Sequence, residues 1–400
     1  MNGFKRMLSI IAAVLIFGIQ ARAAFEVPGF ELAVTIPVET ELSHADVRPA
    51  LDVWVEMFAS SKESLDLAFF YCSPKKGESI DKVFDELRKA GERGVRVRVL
   101  LEKKFEKVSK DGIALLKTFP NLELRIFNVS KMKRDGILHA KYFLVDGKGA
   151  FVGSQNLDWR SLTHIHELGL KITDSGVVKD LAAVFEHDWK AAELIAAGKK
   201  VKGINRRRPK APADRRAYLV ASPYKFNPKG IADSETTLTR LLARAENDIE
   251  IQLLDYKPLT RKKRFYSPID NALRLAATRG VKIKLLVSHW NTKAPYIDHL
   301  KSLHVIPNIE VHVATIPEAK QGPIPFSRVL HSKTLVIDGK TLWLGTSNWS
   351  GGYLDNSRNV EVVVNDEALA AKVHELYSDL WNSRYTEPID VMKEYPKPRK

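Results

Sequence analysis

The sequence predicts an α/β protein of two duplicated α-β-α sandwich domains, packed about a pseudo-two-fold axis with the active site at their interface. Three observations predict it. The chain contains one long internal repeat, strand-like and helix-like patterns alternate inside each copy, and each copy carries the same histidine-centred motif. A length of 400 residues suits two or three domains, and 44% hydrophobic residues are enough to bury real cores, which excludes a disordered polymer.

Residues 1–23 read as a signal peptide. Lys5 and Arg6 precede an uncharged, largely apolar stretch from Met7 to Ile19, and Ala21-Arg22-Ala23 is a small-x-small cleavage site. The stretch is shorter than the ~20 residues a spanning helix needs. The expected mature chain starts near Ala24 and is secreted or periplasmic. Cleavage removes three basic residues and no acid, so the formal charge falls from +15 to +12. That balance favours anionic partners such as nucleic acid, phosphate groups or an acidic membrane surface. A single cysteine, Cys72, excludes an intramolecular disulfide and a cysteine-rich zinc site.

The first domain, 24–198, contains Leu65–Tyr71, Arg93–Leu101 and Leu138–Asp146; the second, 217–400, answers with Ile249–Asp255, Arg279–Val287 and Leu330–Asp338. These are strand patterns. Ile80–Arg93 and Ile269–Arg279 have helical spacing, so strand-helix-strand order implies crossovers and a largely parallel sheet. Each copy closes with a helix, about Val177–Ala197 ending at Gly198 and about Glu367–Asn382. Phe185 and Trp189 match Tyr377 and Trp381 at an offset of 192 residues, the offset that also separates His139 from His331. Between the copies, residues 199–216 lack an apolar period and are dense in Lys, Arg and Pro. They form a basic surface linker, either touching a polyanion or serving as a solvated connector.

The chemistry resides in the motifs His139-x-Lys141-x4-Asp146-x6-Gly153-Ser154-x-Asn156 and His331-x-Lys333-x4-Asp338-x6-Gly345-Thr346-Ser347-Asn348. Residues two apart on a strand share a face, so each His and Lys point at one ligand, and the next turn adds the Gly-Ser or Gly-Thr and Asn donors. Two histidines, two lysines and two asparagines around a central anion suit a phosphate. Glu167 lies 28 residues after His139 and Glu361 lies 30 after His331, each in an apolar run. A carboxylate there accepts the histidine Nδ1 hydrogen and presents Nε2 to phosphorus. Asp146 and Asp338 read as structural, buried near the site. His164 and His166 have no counterpart in the second copy and are taken as surface or supporting residues.

The duplicated His-x-Lys-x4-Asp pattern resembles the signature of the phospholipase D superfamily. Gly153–Thr163, Glu167-Leu-Gly169, Arg264–Asp270 and Gly345–Gly351 are similar to its phospholipase D3 and D4 branch, the lysosomal acid 5′ exonucleases. The resemblance covers about Val34 to Asp390. It departs in two places: Asp338 is intact where that branch has a degenerate acid position, and one cysteine cannot supply that branch's disulfides. The resemblance implies phospholipase D-like domains and a phosphohistidine mechanism with His139 as nucleophile and His331 as acid; the symmetry of the motifs assigns neither role.

No cofactor and no metal are expected, because the chain has no His-Glu-x-x-His, cysteine cluster or magnesium-type carboxylate run. The expected substrate is single-stranded nucleic acid, DNA or RNA, cut from its 5′ end. Trp159, Trp349, Tyr353 and Trp290 lie near motif segments and offer rings for base stacking, although burial in the core explains any one of them as well. The alternative is hydrolysis or exchange of phospholipid headgroups; a polyanion-binding protein without turnover is disfavoured by the intact motifs. No obligate protein partner is expected, and a monomer suffices because one chain supplies both half-sites.

Overall fold

The computed structural model describes residues 24–212 and 214–398; the expected leader, 1–23, lies outside the described residues. The first half contributes seven long strands: β1 (Phe30–Thr35), β2 (Ser64–Phe69), β3 (Arg96–Glu102), β4 (Leu122–Phe127), β5 (Tyr142–Val145), β6 (Gly149–Gly153) and β7 (Glu167–Ile172). The second half repeats them as β8 (Ala217–Ser222), β9 (Asp248–Leu253), β10 (Lys282–Ser288), β11 (Ile309–Ala314), β12 (Lys333–Ile337), β13 (Thr341–Gly345) and β14 (Asn359–Asn365). Four helices longer than one turn accompany each set among the described residues. These are α1 (Ala50–Ala59), α2 (Asp81–Glu92), α3 (Lys110–Leu116) and α4 (Ser175–Ala196), then α5 (Ser234–Arg244), α6 (Ser267–Thr278), α7 (Tyr296–His304) and α8 (Glu367–Trp381).

The long strands run in the order β1-β7-β6-β5-β2-β3-β4 and β8-β14-β13-β12-β9-β10-β11, the same order twice. The sheets are mixed, which corrects the largely parallel expectation. Only β2-β3-β4 and β9-β10-β11, whose connections carry helices, are parallel; the other neighbouring long strands are antiparallel. The reason is a pair of hairpins. Asp146-Gly147 and Asp338-Gly339 all have positive φ, the left-handed turn that sends β5 back as β6 and β12 back as β13.

The closing helices begin as their sequence suggests. Asp174 accepts from Val177 N at the start of α4, and Asp366 accepts from Leu369 N at the start of α8. Both helices pack on the inner faces of the sheets in one core shared by the halves, where Leu168, Leu170 and Val184 meet Leu342, Val362 and Val373. The outer face of the first sheet packs on α1 and α2 through Trp54, Phe58 and Leu87, and that of the second on α5 and α6 through Leu238 and Leu273. Fusing the central core makes each half part of the other's interior. Among the described residues no helix is long and apolar enough to cross a membrane.

Candidate active site

The halves meet at a crossed pair of backbone bridges. His139 N donates to Arg358 O and His331 N donates to His166 O, each at 2.9 Å. Each motif therefore abuts the start of the last long strand of the opposite half, at the end of the sheet where the parallel strands finish.

This register decides which groups orient the imidazoles. Glu167 Oε1 lies 2.9 Å from Nδ1 of His331, across the interface rather than beside His139. Asn359 Oδ1 lies 3.0 Å from Nδ1 of His139. Glu361 is not the partner of either histidine. Its carboxylate accepts from Ser234 and Ser347, and burial pushes it up to about 7. Residue 359 is the one that stands 192 after Glu167, so the offset that aligned the motifs identifies the true counterpart. The same offset pairs His166 with Arg358, correcting the reading that His166 has none. Neither His164 nor His166 is a surface residue; both are buried.

The Asn359 amide is held one way round, because its Nδ2 donates to Tyr353 O while Oδ1 accepts from Thr346 Oγ1, each at 3.0 Å. Oδ1 therefore accepts from Nδ1–H of His139, leaving Nε2 with its lone pair. Glu167 is held by Ser161 Oγ at 3.1 Å and Ser154 Oγ at 3.4 Å. The motif glycines are required by close approach: a Cβ on Gly153 would come within 2.2 Å of Gln155 Oε1, and one on Gly345 within 2.4 Å of Glu361 Cγ.

Lys141 donates to His139 O at 2.6 Å and Lys333 donates to His331 O, leaving each ammonium two further protons. Burial drives both amines down, Lys141 well below its usual range and Lys333 to about 7, with Lys333 adding to the depression of Lys141 and Glu167 opposing both shifts. Both imidazoles are also pushed well down by burial and by the two lysines. Glu167 moves the other way, up to about 8, because it is buried. Among the described residues the Asn156 and Asn348 Oδ1 atoms are buried without a hydrogen-bond partner. Independently of those acceptor oxygens, a site crowded with desolvated amines and imidazoles is relieved by an anion.

The remaining assignments divide. Asp146 accepts from the backbone N–H groups of Lys62, Glu63 and Ser64, and Asp338 from those of Glu246, Asn247 and Asp248. Both are half-buried and brace the hairpin turn at the far end of the strand, away from the histidines. Trp349 is 1% exposed and packs edge-on to Trp343, so it cannot stack on a base. Trp159 is 9% exposed, with the Lys75 ammonium 3.8 Å from its ring centroid. Trp290 is half-buried, edge-on to Phe326 at 6.4 Å. Tyr353 does reach the site: its ring lies 4.6 Å from that of His139.

Phe70 lies 5.0 Å from the same imidazole and is tilted against Phe105 at 3.9 Å, with Tyr71 beside them. This aromatic wall was missed; its signal was the Phe-Phe-Tyr run at the end of β2. Among the described residues one group has metal-ligand spacing, His44, Glu375 and Asp379, and none of the three belongs to the histidine motifs.

Two histidines, two lysines and two asparagines converging from duplicated halves define a phosphodiester-cleaving enzyme with a shared site. A family model described as "Cardiolipin synthase, PLD-like domain" matches residues 54–189 and 238–381. The chain belongs to the phospholipase D superfamily and lies close to its phospholipase D3 and D4 branch. It is 31% identical to the 5′-3′ exonuclease PLD4 of Mus musculus, over 86% of this chain and 76% of that one. It is 28% identical to phospholipase D Y of Dictyostelium discoideum, over 90% and 91%. The phosphatidylserine synthase of Haemophilus influenzae shares the fold, with a TM-score of 0.61 and 12% identity over 85% of each chain.

Proposed function

We propose that this phosphodiester hydrolase is a nuclease that acts without metal, through a phosphohistidine on His139, on single-stranded nucleic acid from its 5′ end. The observation that carries the mechanism is the unequal pair of orienters. Asn359 is neutral and leaves His139 an uncharged imidazole, the state a nucleophile needs. Glu167 is ionisable and lies against His331, where it supports the imidazolium a general acid needs. Nε2 of His139 attacks phosphorus, the bond to the leaving oxygen breaks, and His331 gives that oxygen its proton. Neutral His331 then takes a proton from water, whose oxygen displaces Nε2 and frees the product. Lys141, Lys333, Asn156 and Asn348 hold the non-bridging oxygens throughout.

Nucleic acid is supported by the rings of Phe70, Phe105 and Tyr353 beside the nucleophile, which suit an unpaired base. The similarity to the 5′-3′ exonuclease PLD4 supports the same reading. The experiment offers purified protein a 3′-labelled single strand, the same strand closed as a circle, and phosphatidylcholine vesicles. Cutting of the open strand alone is expected. Equal cutting of the circle would make the enzyme an endonuclease, and choline release without strand cleavage would make it a phospholipase. Export is part of the proposal, resting on residues 1–23; protein recovered from the native cell should begin near Ala24 and lie outside the cytoplasm.

A further inference from the structure

The basic linker does not behave as one uniform segment. Three of its arginines are tied to acids: Arg208 to Asp233, Glu235 and Asp355, Arg215 to Asp180, and Arg216 to Asp366. Its backbone is pinned as well. Ile204 N donates to Lys225 O at 2.7 Å, Asn205 Nδ2 donates to Tyr224 O and Asn227 O, and Val201 is buried. Two abutting depressions of 610 and 620 Å³ form where this ordered segment passes the short turn Val129–Met132 and the end of α4. Their basic lining is Lys131, Lys199, Lys200, Lys202, Arg206 and Lys225, with Lys103 at one end, and among the described residues no acidic one lines either depression. Apart from Lys103, which pairs with the exposed Glu106, none of these cations has a carboxylate partner among the described residues.

Holding like charges together on an ordered backbone costs free energy unless an anion is shared among them. The groove also leads to the site. Lys103 opens the turn Lys103–Phe105, whose Phe105 ring packs tilted against Phe70, and Phe70 meets His139. Lys104 Nζ reaches Gly136 O at 3.5 Å, in the loop that carries the chain from Met132 to His139. We infer that this groove is a track for the phosphate backbone of a single-stranded nucleic acid, holding nucleotides beyond those in the His139–His331 site. The inference rests on the nuclease reading and adds to it a binding surface that sorts long strands from short ones. Its cations follow backbone charge, so it carries no sequence preference.

The test is the exposed triple variant Lys131→Glu, Lys200→Glu, Lys202→Glu in the full chain. Binding is read by fluorescence anisotropy of a 30-nucleotide single strand, with His139→Ala in both proteins to prevent cutting. Turnover of the 30-mer and of a dinucleotide is read in the active background. Affinity for the 30-mer should fall at least about tenfold, and the slope of log Kd against log salt should shrink by about two, from about 0.7 per phosphate contact. Dinucleotide turnover, which uses only the catalytic site, should stay within about twofold. Unchanged 30-mer affinity and slope, beside normal cleavage by the unaltered protein, would overturn the groove alone. So would loss of binding to phosphatidylserine vesicles with 30-mer binding intact, which would assign the cations to a membrane. No cleavage of either strand by the unaltered protein would instead overturn the nuclease reading.

Discussion

Replacing Glu167 by Gln removes the charge next to His331 while keeping an acceptor of nearly the same shape. Glu167 and His331 are buried 2.9 Å apart; burial pushes Glu167 up to about 8, while burial and the two lysines push His331 down. In Glu167→Gln the imidazolium loses its neighbouring carboxylate, so His331 is deprotonated at lower pH. A unit charge at ~4 Å in an effective dielectric of ~20 is worth about 4 kcal/mol. Part of it survives as a neutral hydrogen bond, which leaves a loss of about 10²–10³ in kcat/KM at 1.4 kcal/mol per decade. The alkaline limb of the pH profile moves to lower pH, because the acid must be protonated. The loss should depend on the leaving group. An alkoxide needs the proton of His331, whereas p-nitrophenolate leaves as a stable anion, so with a p-nitrophenyl ester the loss should be under about tenfold. The converse change, Asn359→Asp, places a charge beside His139, keeps it protonated to higher pH and moves the acidic limb up. Equal losses with both leaving groups in Glu167→Gln, or an unmoved alkaline limb, would refute the assignment of His331 as the acid.

Other outcomes follow from the same geometry. Arg358 and Asp188 are fully buried across the halves, with Nη2 donating to Oδ1 at 3.0 Å, so Arg358→Ala should cost about 3–5 kcal/mol in a urea melt. A loss below 1 kcal/mol would contradict the pair's structural role. Asp146→Ala should lower stability by about 1–2 kcal/mol by freeing three backbone N–H groups, while kcat below the melting temperature stays within a few-fold. Burial works against the Asp146 carboxylate, yet its backbone donors outweigh it and hold the group below its usual range. Its contribution is therefore complete above the unfolded pKa near 3.9 and lost as pH falls through the lower folded value, which a pH series of melts reads directly. Activity should be unchanged in EDTA; complete loss restored by magnesium or zinc would overturn the proposed mechanism.

The duplicated fold was legible because His139 and Trp189 recur 192 residues on and Phe185 is matched there by Tyr377, and a register so long reflects a shared chain path. Strand direction was harder. Apolar periodicity marks a strand without its sense, and the decisive signals were the Asp-Gly pairs at 146 and 338, where both residues take left-handed turns. The histidines and lysines could be assembled from alternation along a strand. The orienters could not, because Glu167 and Asn359 reach their histidines across an interface whose register is set by the backbone bridges of His166 and Arg358. Counting from the nearest histidine selected Glu361, which faces Ser234 and Ser347 instead. Trp349 was misread for a related reason: nearness to a motif in sequence says nothing of the apolar residues that enclose it, here Trp343.

In the proposed mechanism one site, built from both halves, transfers the phosphoryl group to His139, and His331 serves the leaving group and then water. A His331→Ala variant incubated with a p-nitrophenyl phosphodiester of a nucleoside tests it most directly. The first step needs little acid with this ester, and the second lacks its base. A burst of one equivalent of p-nitrophenol is expected and, by mass spectrometry after digestion, a nucleotide adduct on the peptide carrying His139. Steady p-nitrophenol release with no adduct on His139 would contradict it.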